Sequence, residues 1–212
     1  MISVSYLKSI YEFENTIKIL DKIDAIDFIH LDIMDGIYVD NNNLDINKVV
    51  TNFKTIEKKK DIHLMVSDTL KYIDDLKNIS PEYITFHPDA VDNPKEVIKT
   101  IKNLGIKVGI AINLDVDINA YENLYNDADL VLVMSVQAGY GGQKFSMDAL
   151  DKIKYLNSIK DSHSFLVEVD GGINDETYKL LKDLNVDIFV VGAYICTNEN
   201  FERPINKLLQ IK

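Results

Sequence analysis

A chain of 212 residues, 46% hydrophobic and 27% charged, carries enough apolar surface for one sizeable core and the charge content of an ordinary soluble protein. Its formal net charge of −11 argues against nucleic acid or an anionic membrane surface as a partner, because both need a basic face. A small anionic ligand is not excluded, since backbone N–H groups bind phosphate locally whatever the total charge.

Short apolar runs separated by amphipathic stretches begin at once. Strands are predicted over Ile2–Ser5, Phe28–Ile33 and Ile62–Val66, and a helix over Thr69–Asn78. A strand at Tyr83–His87 precedes a helix at Pro94–Asn103, where Asn93 supplies a cap and Pro94 suits the first turn. Strands at Val108–Ile112 and Leu130–Met134 follow, then a helix at Asp148–Ile159 and a strand at Phe165–Val169. Asn174 and Asp175 cap a helix running to Leu184, and Ile188–Val191 is the last strand. The strands are continuous rather than alternating, as expected when both faces are covered. Alternating with helices, they predict an α/β fold in the form of a closed parallel (β/α)8 barrel, with an open doubly wound sheet as the rival. No Gly/Ser/Pro-rich linker or charge block divides the chain, so residues 1–212 read as one domain.

Strand side chains two apart share a face. In Ile29-His30-Leu31-Asp32-Ile33-Met34, turning Leu31 and Ile33 toward the helices points His30, Asp32 and Met34 into the barrel near its C-terminal mouth. His63 and Met65 repeat the arrangement on the next strand, and Asp170 ends the seventh. Two imidazoles and two carboxylates converging where barrel enzymes keep their chemistry form a site for one divalent metal ion, Zn²⁺, Fe²⁺ or Mn²⁺. His87 reads as a loop residue near the rim and His163 as a surface residue.

Glycines form a second constellation. Gly139, Tyr140, Gly141 and Gly142 follow the sixth strand, Gly171 and Gly172 the seventh, and Gly192 and Ala193 the eighth. Glycine lets backbone N–H groups approach a ligand, and barrels often bind phosphate on the loops after their last strands. A phosphorylated substrate is therefore expected. Lys144 either adds charge to that site or is simply solvated.

These runs resemble a known family. His30-Leu31-Asp32-Ile33-Met34-Asp35-Gly36, with Val39 and Asn41 after it, is similar to the signature of ribulose-phosphate 3-epimerases. So are His63-Leu64-Met65-Val66, Val133-Met134-Ser135-Val136 leading into Gly139-Tyr140-Gly141-Gly142-Gln143-Lys144-Phe145, and Glu168-Val169-Asp170-Gly171-Gly172-Ile173. The resemblance covers nearly the whole chain. It implies a TIM barrel of the ribulose-phosphate-binding type and a metal-dependent isomerase of the pentose phosphate pathway. The implied metal ligands are His30, Asp32, His63 and Asp170, with Asp32 and Asp170 as the acid/base pair. Ser5 and His63 would touch the substrate, Met34, Met65 and Met134 would line the site, and the phosphate would lie on Gly139 to Gly142, Gly171, Gly172, Gly192 and Ala193. Several positions depart from the family pattern: Val4, Lys8-Ser9-Ile10, Asp40, Ala138 and Ala193, the last lacking a hydroxyl usual there. They bear on substrate identity and affinity more than on reaction type.

The expected reaction interconverts D-ribulose 5-phosphate and D-xylulose 5-phosphate through an ene-diolate, with one carboxylate removing the C3 proton and the other returning one. Alternatives are a ketohexose-6-phosphate 3-epimerase acting on allulose 6-phosphate, and a non-catalytic sugar-phosphate-binding barrel. A decarboxylase or aldolase on the same barrel is disfavoured, because no strand-end lysine stands beside Asp32 or Asp170. The single cysteine, Cys196, forms no internal disulfide, no apolar run is long enough to cross a bilayer, and Met1 to Tyr11 lack signal-peptide features. A cytoplasmic protein is expected, whose exposed barrel helices are of the kind that supports homo-oligomers.

Overall fold

Apolar residues on one face of each strand need a helical layer outside them, and this requirement organises the chain. The structure, a computed structural model, describes residues 1–43 and 45–210. Its strands are β1 (Ile2–Ser5), β2 (Phe28–Met34), β3 (Lys59–Met65), β4 (Tyr83–Phe86), β5 (Lys107–Ile112), β6 (Leu130–Met134), β7 (Leu166–Asp170) and β8 (Ile188–Val191). All pair in parallel with their sequence neighbours, and β8 returns to β1 to close the barrel. The open-sheet rival is thereby excluded. Outside lie α1 (Phe13–Asp21), α2 (Ile46–Phe53), α3 (Thr69–Leu76), α4 (Pro94–Asn103), α5 (Ala149–Ile159), α6 (Asp175–Lys182), the single turn α7 (Ala193–Cys196) and α8 (Glu202–Leu209). No helix among the described residues is long and apolar enough to cross a membrane.

Two clusters share the apolar residues. Ile29, Leu31 and Ile33 of β2 face outward and pack with Ile17 and Leu20 of α1 and Phe53 of α2 in the larger cluster, between strands and helices. The smaller cluster is inside the barrel. Its base is Phe28, Tyr83, Leu130 and Ile188, the first residues of the four even-numbered strands. A layer drawn from alternate strands is how a closed barrel of this size fills its centre. Above that base the interior turns polar: Ser3, Asp61 and Glu168, from odd-numbered strands, are all fully buried.

Element boundaries differ from the sequence reading in informative places. The seventh strand runs one residue further than expected, so Asp170 belongs to the ladder and its direction is fixed two residues after Glu168. The third strand starts at Lys59, where three consecutive charged residues, Lys59, Lys60 and Asp61, hide the extended pattern. The predicted helix at Thr69–Asn78 tightens into a 3₁₀ turn after Leu76, and Ser80 follows in the left-handed region at φ 50°. Between β5 and β6 the crossover is 3₁₀-type, Ile118–Leu124, held by the Tyr125 hydroxyl donating to the Ile118 carbonyl.

Two local devices tie the strand ends down. The Asn174 side chain accepts the N–H groups of Glu176 and Thr177, and the Thr177 hydroxyl accepts the Asn174 N–H, a reciprocal cap that starts α6 immediately after β7. Asp35, just past β2, accepts the N–H groups of Ile37 and Tyr38 with one oxygen and the N–H and hydroxyl of Ser67, just past β3, with the other. Partial burial opposes its charge, but the N–H groups of Ser67, Tyr38 and Ile37 prevail and lower its pKa to about 2.

Replacing Asn174 with Ala should cost about 1 kcal/mol, read as a lower urea midpoint at unchanged slope. Because the folded pKa of Asp35 lies below its unfolded value, its stabilisation is present above about pH 4 and is lost as pH falls toward about 2. Denaturation midpoints measured across that window should drop more steeply in the natural chain than in Asp35→Asn. Parallel curves would refute the assignment.

Candidate active site and metal centre

The parallel register of β2 on β3 sets His30 beside Asp61, Asp32 beside His63 and Met34 beside Met65. The register of β6 on β7 likewise sets Met134 beside Asp170. As a result His30, Asp32, His63 and Asp170 each bring one ligand-type atom within 4.8 Å of all the others. Both histidines are fully buried, whereas the Asp170 side chain keeps 19% of its surface exposed and is the most accessible of the four.

One carboxylate oxygen is the hub. Asp32 Oδ1 lies 3.4 Å from His30 Nε2 and 3.4 Å from His63 Nδ1, and Asp170 Oδ2 lies 4.0 Å from the same His63 nitrogen. These separations are too long for good hydrogen bonds, and both histidine nitrogens are buried with no hydrogen-bond partner. Unpartnered buried nitrogens are costly, and native structures avoid them unless something else occupies them. Ligand atoms sharing one cation at roughly 2.0–2.2 Å stand about 3–3.5 Å apart, so the spacing suits a divalent metal held by two nitrogens and two oxygens. The residues fit the group.

The opposite nitrogen of each ring is fixed. His30 Nδ1 lies 2.7 Å from Asp61 Oδ2, which also accepts the Ser3 hydroxyl at 2.8 Å. That bond assigns the proton to Nδ1 and leaves the Nε2 lone pair for the site. His63 is held differently, by a 2.8 Å hydrogen bond between its Nε2 and Nε2 of His87. His87 does lie just past the end of β4, as expected, but it is fully buried there, with the Tyr38 ring 4.9 Å away, and it orients His63. His163 is half-buried against Tyr125 and Phe165 of the outer cluster and does not line the cavity of the site.

Electrostatics separate the carboxylates. Burial opposes the charge of Asp32, yet His30 and His63 beside it hold its pKa well below the usual carboxylate range. Asp170 goes the other way: burial first, then the charge of Asp32, pushes it up to about 6. Burial works against a charged His30, but Asp61 and Asp32 hold its pKa well above the ordinary imidazole value, so this point of the barrel attracts positive charge. Burial and the neighbouring Asp61 raise the pKa of Glu168 well above its usual range, which favours the neutral acid.

Above the four residues opens a cavity of about 350 Å³. Its lining includes Ser5, Asp32, Asp170, Met65 and Met134, together with Gly139, Tyr140, Gly141, Gly142, Gly171, Gly172, Gly192 and Ala193. Ser5 donates to Asp32 Oδ2 at 2.7 Å. Met34 is buried in the same interior cluster and is not part of the cavity lining. Gly172 is glycine for a reason: its φ is +62°, and a Cβ there would lie 2.2 Å from the Phe145 nitrogen, where the Gly139–Phe145 strap crosses. Among the described residues, the N–H groups of Gly141, Gly142 and Gly172 make no hydrogen bond to the backbone of the protein. Lys144 is exposed and does not line the cavity.

Sequence reasoning overlooked Asp61, His87 and Glu168. Asp61 stands two before His63 and Glu168 two before Asp170, so the period-two rule that found His30 and Asp32 would have found both.

Comparison with known proteins agrees with this geometry. The profile described as the ribulose-phosphate 3 epimerase family matches residues 2–196. A ribulose-phosphate 3-epimerase of Helicobacter pylori is 35% identical over 205 residues, covering 95% of this chain and 94% of its own length. That of Bacillus subtilis is 32% identical over 197 residues, covering 92% and 90%. A tryptophan synthase alpha-subunit structure from Pyrococcus furiosus superposes with a TM-score of 0.75 at 15% identity, covering 100% of this chain and 98% of that one, a likeness of fold alone.

Titrating Zn²⁺ or Mn²⁺ into stripped protein should show one binding event that raises the melting temperature. Asp61→Ala, which frees the His30 ring, should weaken that binding roughly 10–100-fold. Unchanged affinity in the variant would contradict the role given to Asp61.

Proposed function

The chain belongs to the ribulose-phosphate 3-epimerase family of isomerases, and from that premise we propose that its residues 1–212 act as one catalytic domain interconverting D-ribulose 5-phosphate and D-xylulose 5-phosphate. The observation that carries this reading is the meeting of Asp32 and Asp170 on one cavity that the glycine-rich segments after β6, β7 and β8 also line. Inverting a carbon beside a carbonyl requires a proton to leave one face and another to arrive on the opposite face. Two carboxylates from strands on different sides of the cavity suit that exchange.

Their unequal environments assign the starting roles. Asp32, kept ionised by His30 and His63, is ready to accept the C3 proton. Asp170, whose environment favours the protonated form, is ready to supply one. In the reverse direction the roles exchange. Ser5 holds the far oxygen of Asp32, so the oxygen facing the histidines keeps its direction during transfer. A divalent cation on His30, Asp32, His63 and Asp170 would supply Lewis-acid stabilisation of the negative charge that proton removal leaves on the sugar oxygens.

The remaining lining has supporting parts. Met65 and Met134 give a polarisable wall without protons of their own to donate. The free N–H groups of Gly141, Gly142 and Gly172 suit phosphate oxygens. The strap from Gly139 to Phe145 is anchored by Asn41, whose side-chain amide donates to the Gly139 carbonyl at 2.9 Å. Over a bound sugar it would keep water from the intermediate and so guard against phosphate loss.

The natural chain should epimerise ribulose 5-phosphate and wash deuterium from solvent into C3, with kcat/KM higher for this sugar than for allulose 6-phosphate. Asp32→Asn and Asp170→Asn should each lower kcat by roughly 10²–10⁴. A chain that exchanges no C3 proton would sink the reading, and a variant running at near-normal rate would remove that aspartate from it.

A further inference from the structure

Backbone N–H groups can hold a phosphate dianion by themselves, and a cation beside them in an acidic chain strengthens that hold. The side chains lining the cavity include two carboxylates, Asp32 and Asp170, and among the described residues a single cation, Lys8. Lys8 follows β1 and lies exposed at the cavity edge. Its stem crosses the glycine strap: a Cβ added to Gly141 would lie 2.8 Å from Lys8 Cγ, which is closer than real contacts allow. Gly141 leaves the passage open. A Cβ added to Gly142 would lie 4.0 Å from Lys8 Cε and 4.0 Å from the Ala193 methyl, so the end of the lysine and that methyl flank the same glycine. Ala193 has no group that donates from its side chain. Among the described residues, the Lys8 ammonium is engaged in no hydrogen bond or ion pair, although the chain carries 34 acidic residues against 23 basic ones.

We propose that Lys8 is a phosphate-binding residue, its ammonium contacting the phosphate group of the substrate where that group rests on Gly141 and Gly142. The proposal rests on the reading of the substrate as a sugar phosphate. It adds what backbone N–H groups alone do not supply, a full positive charge at the end of the cavity away from the aspartates. That charge fixes which way round the sugar enters: phosphate toward Lys8, reacting carbons toward Asp32 and Asp170. The phosphate does not change during epimerisation, so the contact strengthens ground state and transition state alike and appears in KM. A compact ammonium on a flexible stem acts as a point charge, and its contribution is screened by salt.

The test compares the natural chain with Lys8→Met and Lys8→Arg. Binding of inorganic phosphate, measured by calorimetry on the metal-loaded protein, should weaken roughly 10-fold in Lys8→Met and far less in Lys8→Arg. The KM for ribulose 5-phosphate should rise by a similar factor in Lys8→Met, more at low salt than at high salt, while kcat falls much less. The side chain is exposed, so melting temperatures of the three proteins should agree and exclude misfolding. Phosphate binding neither chain, or both equally, overturns the proposal. A natural chain that binds phosphate through Lys8 but fails to epimerise ribulose 5-phosphate overturns the substrate reading instead and leaves the Lys8 contact standing.

Discussion

The register of β2 against β3 is the constraint on which the chemistry depends. It places His30 beside Asp61 and Asp32 beside His63, so that a single carboxylate oxygen faces two imidazole nitrogens at 3.4 Å each. A slip by one residue would turn Leu31, Ile33, Ile62 and Leu64 inward and send the ligand set among the helices. The outward apolar residues prevent that slip, since each is fully or almost fully buried between strand and helix. Core packing and site geometry are therefore one specification.

A polar barrel interior is expensive unless every group finds a partner. This barrel meets part of that demand in tiers. Asp61 accepts from Ser3 and from His30, Glu168 enters as a neutral acid beside Asp61, and His87 pairs with His63. Among the atoms left without a hydrogen-bond partner, His30 Nε2 and His63 Nδ1 face the oxygen of Asp32. The lower tiers hold the rings, and the upper tier is left with nitrogens directed at one point. Different partners hold the two rings, a carboxylate for His30 and a neutral imidazole for His63. Removing either partner should therefore perturb the site in a different way.

The cavity divides its labour along the same axis. The carboxylates proposed for proton transfer come from β2 and β7, and the glycine backbone comes from the segments after β6, β7 and β8. Lys8 comes from the segment after β1, which the closed barrel brings round to meet β8. The strap after β6 touches both halves, packing Gly141 on Lys8 and Phe145 over Gly172. Substrate orientation thus depends on segments far apart in sequence.

Much of this was legible in the sequence. Continuous apolar runs marked every strand, and the alternation inside Ile29–Met34 correctly sent His30 and Asp32 inward, because strand period and burial are local properties. The strand-end glycines were legible for the same reason: backbone freedom is written in the residue type. Other features depended on neighbours the sequence does not name. His87 stands in period-two register with Tyr83 and Thr85, which points it inward, but only the packing of β4 beside β3 shows that it meets His63. Lys144, inside the glycine loop, read equally as a cation for the site or as a solvated side chain; the strap turns it to solvent, and it is Lys8, from the segment after β1, that lines the cavity. The sequence by itself determined which side chains point inward and where the backbone can bend. Only the tertiary structure decided which of them meet, because ring closure and register are set by the packing of the whole chain.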